Sequence, residues 1–298
     1  MRANRFLGQL AGALARDTPA FAPAHPYSSG FGASLITALA RSGPAFSPPG
    51  TPDDLGRNMR RRDLDDADLA DVDLTRADFT RATLTRAKLV RANLTDAILT
   101  RAYLVDAHLV EANLTRADLT DATLTRADLS CADLTDATLT RADLTGADLT
   151  RAWLTDTNLT GANLTGADLT GANLTGANLS RARLTGAARR AHAGRAVLIR
   201  AELAHARLTG ADLAEADLTR AWLTNADLSG ANLTSTDLAG ADLSGAELTG
   251  AELGATASVE KLAGARWNAA TRWPAQHAAE IRAASDKLTD GTFRVRSE

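Results

Sequence analysis

The chain has 298 residues, a net charge of −3 and 45% hydrophobic residues, so it is neither a strong polyanion nor a polycation. Only 4% of residues are aromatic, which argues against a compact irregular core and for one lined by small, repeated side chains. Cys131 is the one cysteine, which rules out an internal disulfide, and no apolar run approaches the ~18 residues of a membrane span; both fit a cytoplasmic protein.

Residues 1–52 hold seven of the eight prolines and read as a flexible Pro/Gly/Ala-rich leader. Short helices are predicted near Phe6–Arg16 and Ala33–Arg41, and a start placed too far upstream would read the same way. Arg2 and Arg5 precede FLGQLAGALA, but Gln9 and the glycines make this a poor secretion signal.

From Leu64 to Leu184 every fifth residue is leucine, apart from Phe79, and the spacing resumes from Leu198 to Leu253. Each centre sits in a unit of Ala, Asp or Asn, Leu, Thr or Ser, then Arg, Asp or Gly, as in ADLTR and ANLTG. A period of five fits neither a helix face nor a strand, so the repeat itself must set the fold. No proline occurs between Pro52 and Pro274, as expected if every coil donates to a backbone ladder.

This unit resembles that of the pentapeptide-repeat family over roughly 57–256. The resemblance implies an all-β fold, a right-handed quadrilateral β-helix with four pentapeptides per coil. About nine coils at ~4.8 Å give a rod of roughly 45 Å. The leucine and the alanine two before it would point inward, with Val72, Thr157 and Thr236 as exceptions at the small position. Each buried leucine contributes on the order of 2 kcal/mol. The outward charges support a twenty-residue coil: Arg76, Asp96, Arg116 and Asp136 alternate in sign at that spacing, as do Asp66, Arg86, Asp106 and Arg126.

The solenoid is placed at 53–256, with a register break near 185–197. Leu184 to Leu198 is 14 residues, one short of three pentapeptides. The stretch Arg181–Arg200 carries six arginines and no acid, while 201–256 carries 2 basic and 9 acidic residues. The rod should be electrically uneven along its length. Residues 257–298 read as a C-terminal cap and helix. Trp267 and Trp273 would close the open end, and Ala278, Ile281, Ser285 and Leu288 fall on one helical stripe.

The histidines are scattered, and no Gly-rich phosphate loop, paired-Cys zinc motif or nucleophile elbow is found. No enzyme activity, cofactor or metal is expected. Three departures from the repeat are candidate protein-binding features. Lys88, Val90, Tyr103, Val105, His108 and Val110 replace the usual polar residues and form an apolar outward patch, unless they are drift in a tolerant repeat. Arg189 and Arg190 sit in the basic break, either as a contact band or as solvated side chains of a degenerate coil. Trp153 and Trp222 replace an outward Asp or Asn, as contact residues or as side chains packed on a neighbour.

The expected function is a non-enzymatic binding scaffold, a protein-interaction rod whose partner is unidentified. The resemblance implies an alternative. Some family members mimic DNA, bind type II topoisomerases such as DNA gyrase and protect against drugs or toxins acting there. The acidic stretch fits that reading and the arginines do not. The resemblance also implies a homodimer through the C-terminal end. Direct nucleic-acid binding and membrane association are not expected.

Overall fold

The structure, a computed structural model, describes residues 58–185, 196–253, 262, 264–273 and 275–296. The leader at 1–52 lies outside them, as do Arg189 and Arg190 in the break.

The repeat forms a four-sided solenoid. Parallel bridges join each residue before a central leucine to its counterpart twenty residues on, as in Asp63 to Thr83 to Tyr103 to Thr123. Four such ladders run side by side, one per wall. The longer two-residue strands β1 (Asn232–Leu233) and β2 (Glu252–Leu253) continue one of them in parallel register.

The pentapeptide suits this path because all five of its N–H groups find acceptors. In the unit around Leu144, the Asp143 N–H donates down the rod to Ala122 O at 2.9 Å. Those of Leu144 and Gly146 donate up it, to Asn163 O at 2.7 Å and Thr165 O at 2.9 Å. The Ala147 N–H closes a tight turn onto Leu144 O at 3.0 Å. The remaining donor, Thr145 N–H, goes to Asp143 Oδ1 at 3.1 Å, and the Thr145 hydroxyl donates to the same oxygen at 2.5 Å. That side-chain bond is an Asx turn, which explains why Asp and Asn precede the leucine. A proline anywhere in the unit would remove one of these bonds.

Leucine and alanine line the tube. Leu69 through Leu154 are at most 1% exposed wherever leucine is the centre, and Phe79 is fully buried among them. Alanine predominates where the turn closes. Where a β-branched residue replaces it, the closing bond lengthens, to 3.3 Å at Val72, 3.2 Å at Thr157 and 3.3 Å at Thr236. The hydroxyls of Thr157 and Thr236 donate to Leu134 O and Leu213 O, both at 2.8 Å, and that of a third buried threonine, Thr271, donates to Leu248 O at 2.8 Å.

Each corner residue, two after the leucine, adopts a left-handed backbone with φ near 57°, as at Asp106 (56°) and Arg126 (57°). Such a φ is costly for most side chains and free for glycine, so glycine recurs at corners from Gly146 onward. The same corners carry the charged ladder. Arg86 bridges Asp66 through two bonds of 2.7 and 2.6 Å, and Arg126 bridges Asp106 at 2.8 and 2.7 Å. Arg91 with Asp71, Arg116 with Asp96 and Arg141 with Asp121 repeat the arrangement. The guanidinium hydrogen bonds hold the carboxyls of Asp66, Asp71, Asp96, Asp106 and Asp121 below their ordinary value.

At the break the structure revises the sequence count. Asn173 pairs with Val197, Asn178 with Glu202 and Arg183 with Arg207, each 24 residues apart. The coil is therefore four residues longer than its neighbours, not one shorter. Counting modulo five cannot separate a loss of one from a gain of four; the ladder can. Beyond it Val197 pairs with Asp217 and the twenty-residue step returns.

The C-terminal end differs from the long helix that the stripe predicts. Strand β3 (Arg266–Trp267) extends the ladder of Asp227 and Glu247, and a six-residue helix, α1 (Ala278–Ala283), follows. Strands β4 (Ser285–Lys287) and β5 (Phe293–Val295) complete an antiparallel sheet in the order β3-β5-β4. Ile281 is buried, but Ser285 lies in β4, where its hydroxyl accepts from Trp267 Nε1 at 3.0 Å and donates to Ile281 O at 2.6 Å. That pair of bonds holds the chain as it leaves the helix for the strand. Trp267 is 4% exposed, stacks on Phe293 at 4.3 Å and meets Trp273 edge-on at 5.7 Å. No helix among the described residues is long and apolar enough to cross a membrane.

Two outcomes are expected. Leu144→Ala should destabilise by about 2–5 kcal/mol, and Leu144→Asp should abolish the folded circular-dichroism signal, because it places a charge in a dry tube. An unchanged melt would contradict the inward assignment. Arg116→Gln should lower the thermal midpoint at neutral pH. The Asp96 carboxyl is lowered from 3.8, so its bridge stabilises the fold above that value and is lost as pH falls through the folded value. The deficit of the variant should therefore vanish in acid and shrink at ~1 M salt.

Candidate protein-interaction surfaces

The bridges assign the sequence-derived candidates to walls. One wall carries Asp78, Ile98 and Asp118 in succession. The next carries Thr83, Tyr103 and Thr123, and the third carries Lys88, His108 and Asp128. Lys88 and His108 are thus direct neighbours, with Val90 and Val110 on the same wall and Tyr103 and Val105 around the corner. Ile98 is one wall further, at almost the same height as Tyr103.

These positions gather into one patch. Ile98 is 41% and Tyr103 51% exposed, Lys88 and His108 are exposed, and the three valines are half-buried. The patch also changes the backbone. Val90, Val105 and Val110 follow Lys88, Tyr103 and His108 by two residues, and none of those side chains offers a carboxyl or amide oxygen for an Asx turn. The valine carbonyls still accept up-ladder bonds from Asp71, Arg86 and Arg91 at 2.9 Å, so the fold is undisturbed.

The tryptophans are not brought to this patch or to each other. Trp153, 56% exposed, stands on the fourth wall between Asp133 and Asn173. Trp222, 47% exposed, stands beyond the break between Glu202 and Asp242, on the wall that carries Ile98. Each projects from a ladder of polar neighbours.

The corner charges divide the rod. Among the described residues the doubly bonded arginine–aspartate bridges lie between Asp66 and Arg141. Residues 201–253 carry 9 acids against Arg207 and Arg220. Asp227 is held below the ordinary aspartate value: hydrogen bonds from Ser229 and Thr209 outweigh its desolvation.

One feature escaped the sequence reading. The corner column Arg61, Arg81, Arg101 stacks three like charges, and with Arg60, Thr80, Thr100, Thr120, Asp121 and Arg141 it lines an open groove of about 490 Å³. The signal was present as two of the few like-sign neighbours at twenty-residue spacing. Among the described residues, no group of three or more His, Cys, Asp or Glu side chains is placed to hold a metal ion.

The family described as Pentapeptide repeats matches residues 63–101, 97–136, 117–156, 154–187, 194–230 and 226–255. HetL, a pentapeptide repeat protein involved in heterocyst differentiation regulation from the cyanobacterium Nostoc sp. strain PCC 7120, is a similar solved structure. It is 35% identical over 66% of this chain and 89% of its own, with a TM-score of 0.50. Trypsin-treated QnrB1, a plasmid-mediated fluoroquinolone resistance protein, is 21% identical over 68% of this chain and 90% of its own, with a TM-score of 0.33. No curated protein sequence matches the chain. With its repeat, its twenty-residue coil and the family match along nearly all of both, the chain belongs to the pentapeptide-repeat family, whose members fold as right-handed quadrilateral β-helices.

Proposed function

We propose that the chain is a non-enzymatic interaction rod that binds a protein partner through the patch at Lys88, Val90, Tyr103, Val105, His108 and Val110. The observation that carries this reading is the exposure of Ile98 and Tyr103 on adjoining walls, where the repeat otherwise places Asp, Asn or Thr. An aromatic ring and an aliphatic side chain flanked by half-buried valines supply the desolvated centre that interfaces favour. The valine N–H groups without Asx turns add donors that an extended partner segment can use. Trp153 and Trp222 are secondary contacts in the same reading, and Arg189 and Arg190 a third.

The test is affinity capture with three proteins. A stoichiometric partner recovered with the parent and with Asp143→Asn, but lost with Tyr103→Ala/Val110→Ala, supports the patch. Equal recovery with all three removes it.

A second reading, a DNA mimic acting on a type II topoisomerase, draws on the acidic stretch 201–253. There the doubly bonded arginine bridges of the first half have no counterpart among the described residues. It requires that the protein inhibit gyrase supercoiling, or protect the enzyme from a quinolone, at micromolar concentration. Absence of both effects ends it.

A further inference from the structure

Three of the four corner columns open with charges of alternating sign. The fourth begins Arg61, Arg81, Arg101 before it reaches Asp121 and Arg141. The three arginines share the left-handed corner backbone, with φ of 55°, 59° and 58°, so their side chains leave the rod in a common direction. At one coil per step the row spans about 10 Å along the axis.

Among the described residues, little neutralises this row. Arg101 approaches Asp121 at 3.5 Å, but Arg141 already holds that carboxylate through bonds of 2.7 and 3.0 Å. Arg60 approaches Asp78 at 3.6 Å. No carboxylate among the described residues bridges Arg61 or Arg81. The lining of the groove therefore carries five arginines against Asp121, with Asp78 beside Arg60 on the flanking wall, and threonines Thr80, Thr100 and Thr120 along it. Like charges stacked at strand spacing repel, and the alternation elsewhere shows how the rod avoids this.

We infer that this groove binds a linear triphosphate anion. The guanidinium fork matches phosphate oxygens, and a chain of phosphoryl groups laid along the axis meets successive arginines. Orthophosphate is too short to engage more than two steps of the row. Duplex DNA spreads its phosphates beyond one column and meets Asp63 and Asp78 on the flanking walls. The triphosphate is either inorganic or part of a nucleotide, whose base would reach Tyr103, two residues past Arg101.

Isothermal titration of the full-length protein tests this. Inorganic tripolyphosphate should bind the parent more tightly than orthophosphate does. Arg81→Gln should weaken tripolyphosphate binding by about tenfold, the loss of one charge-assisted contact. Arg86→Gln, an equivalent corner arginine paired with Asp66, should bind like the parent, and it controls for folding. ATP binding that exceeds tripolyphosphate binding and falls with Tyr103→Ala assigns the nucleotide; equal binding assigns the inorganic chain. The proposal is overturned if tripolyphosphate does not bind, if Arg81→Gln and Arg86→Gln behave alike, or if orthophosphate binds as well. Tighter, Arg81-dependent binding of duplex DNA also overturns it.

Discussion

The constraint on which everything else rests is that a five-residue unit satisfies all five of its own backbone donors. Two go up the rod, one goes down, one closes the turn and one is taken by the Asp or Asn side chain. This is why Asp or Asn is the commonest residue before leucine, whereas the corner carries no such preference for an acceptor. The first has a hydrogen-bonding task; the second only needs to tolerate a left-handed φ. Arginine, aspartate, glycine and cysteine all occupy that corner, as at Arg141, Asp136, Gly146 and Cys131. The chemistry of the surface is thus written mainly at corners and at the wall positions where the Asx acceptor has been given up.

That division explains why the patch and the arginine row differ in kind. At Lys88, Tyr103 and His108 the sequence surrenders a local hydrogen bond, which costs stability and returns exposed apolar surface. At Arg61, Arg81 and Arg101 no local bond is surrendered, but the charge alternation that neutralises the other corners is missing. Both are departures from the rule that holds the rod together, and neither distorts the ladder beneath it.

Much of this was legible in the sequence. Inward leucines and alanines, the exceptions at Val72, Thr157 and Thr236, and the coil length were implied by the family resemblance, and the sign of charges twenty residues apart agreed with that length. The same stacking rule placed Lys88 beside His108 and Tyr103 around the corner. The place of the break was legible but not its sense, because the spacing from Leu184 to Leu198 is ambiguous to a multiple of five and only the pairing of Asn173 with Val197 resolves it. The cap was legible in its tryptophans but not in its strands. A stripe from Ala278 to Leu288 is compatible with a helix, and the competing bonds of Ser285 to Trp267 and Ile281 are long-range or turn-specific. The arginine row shows in the sequence only as a departure from the alternation of the other corner columns.

The long coil has a geometric consequence. On either side of residues 186–195 three ladders stay in step, Asn173 with Val197, Asn178 with Glu202 and Arg183 with Arg207. The azimuth of every later side chain, Trp222 included, is therefore independent of how much chain is inserted there. A change in the number of residues between Leu184 and Leu198 would leave the relative bearings of the two halves of the rod untouched.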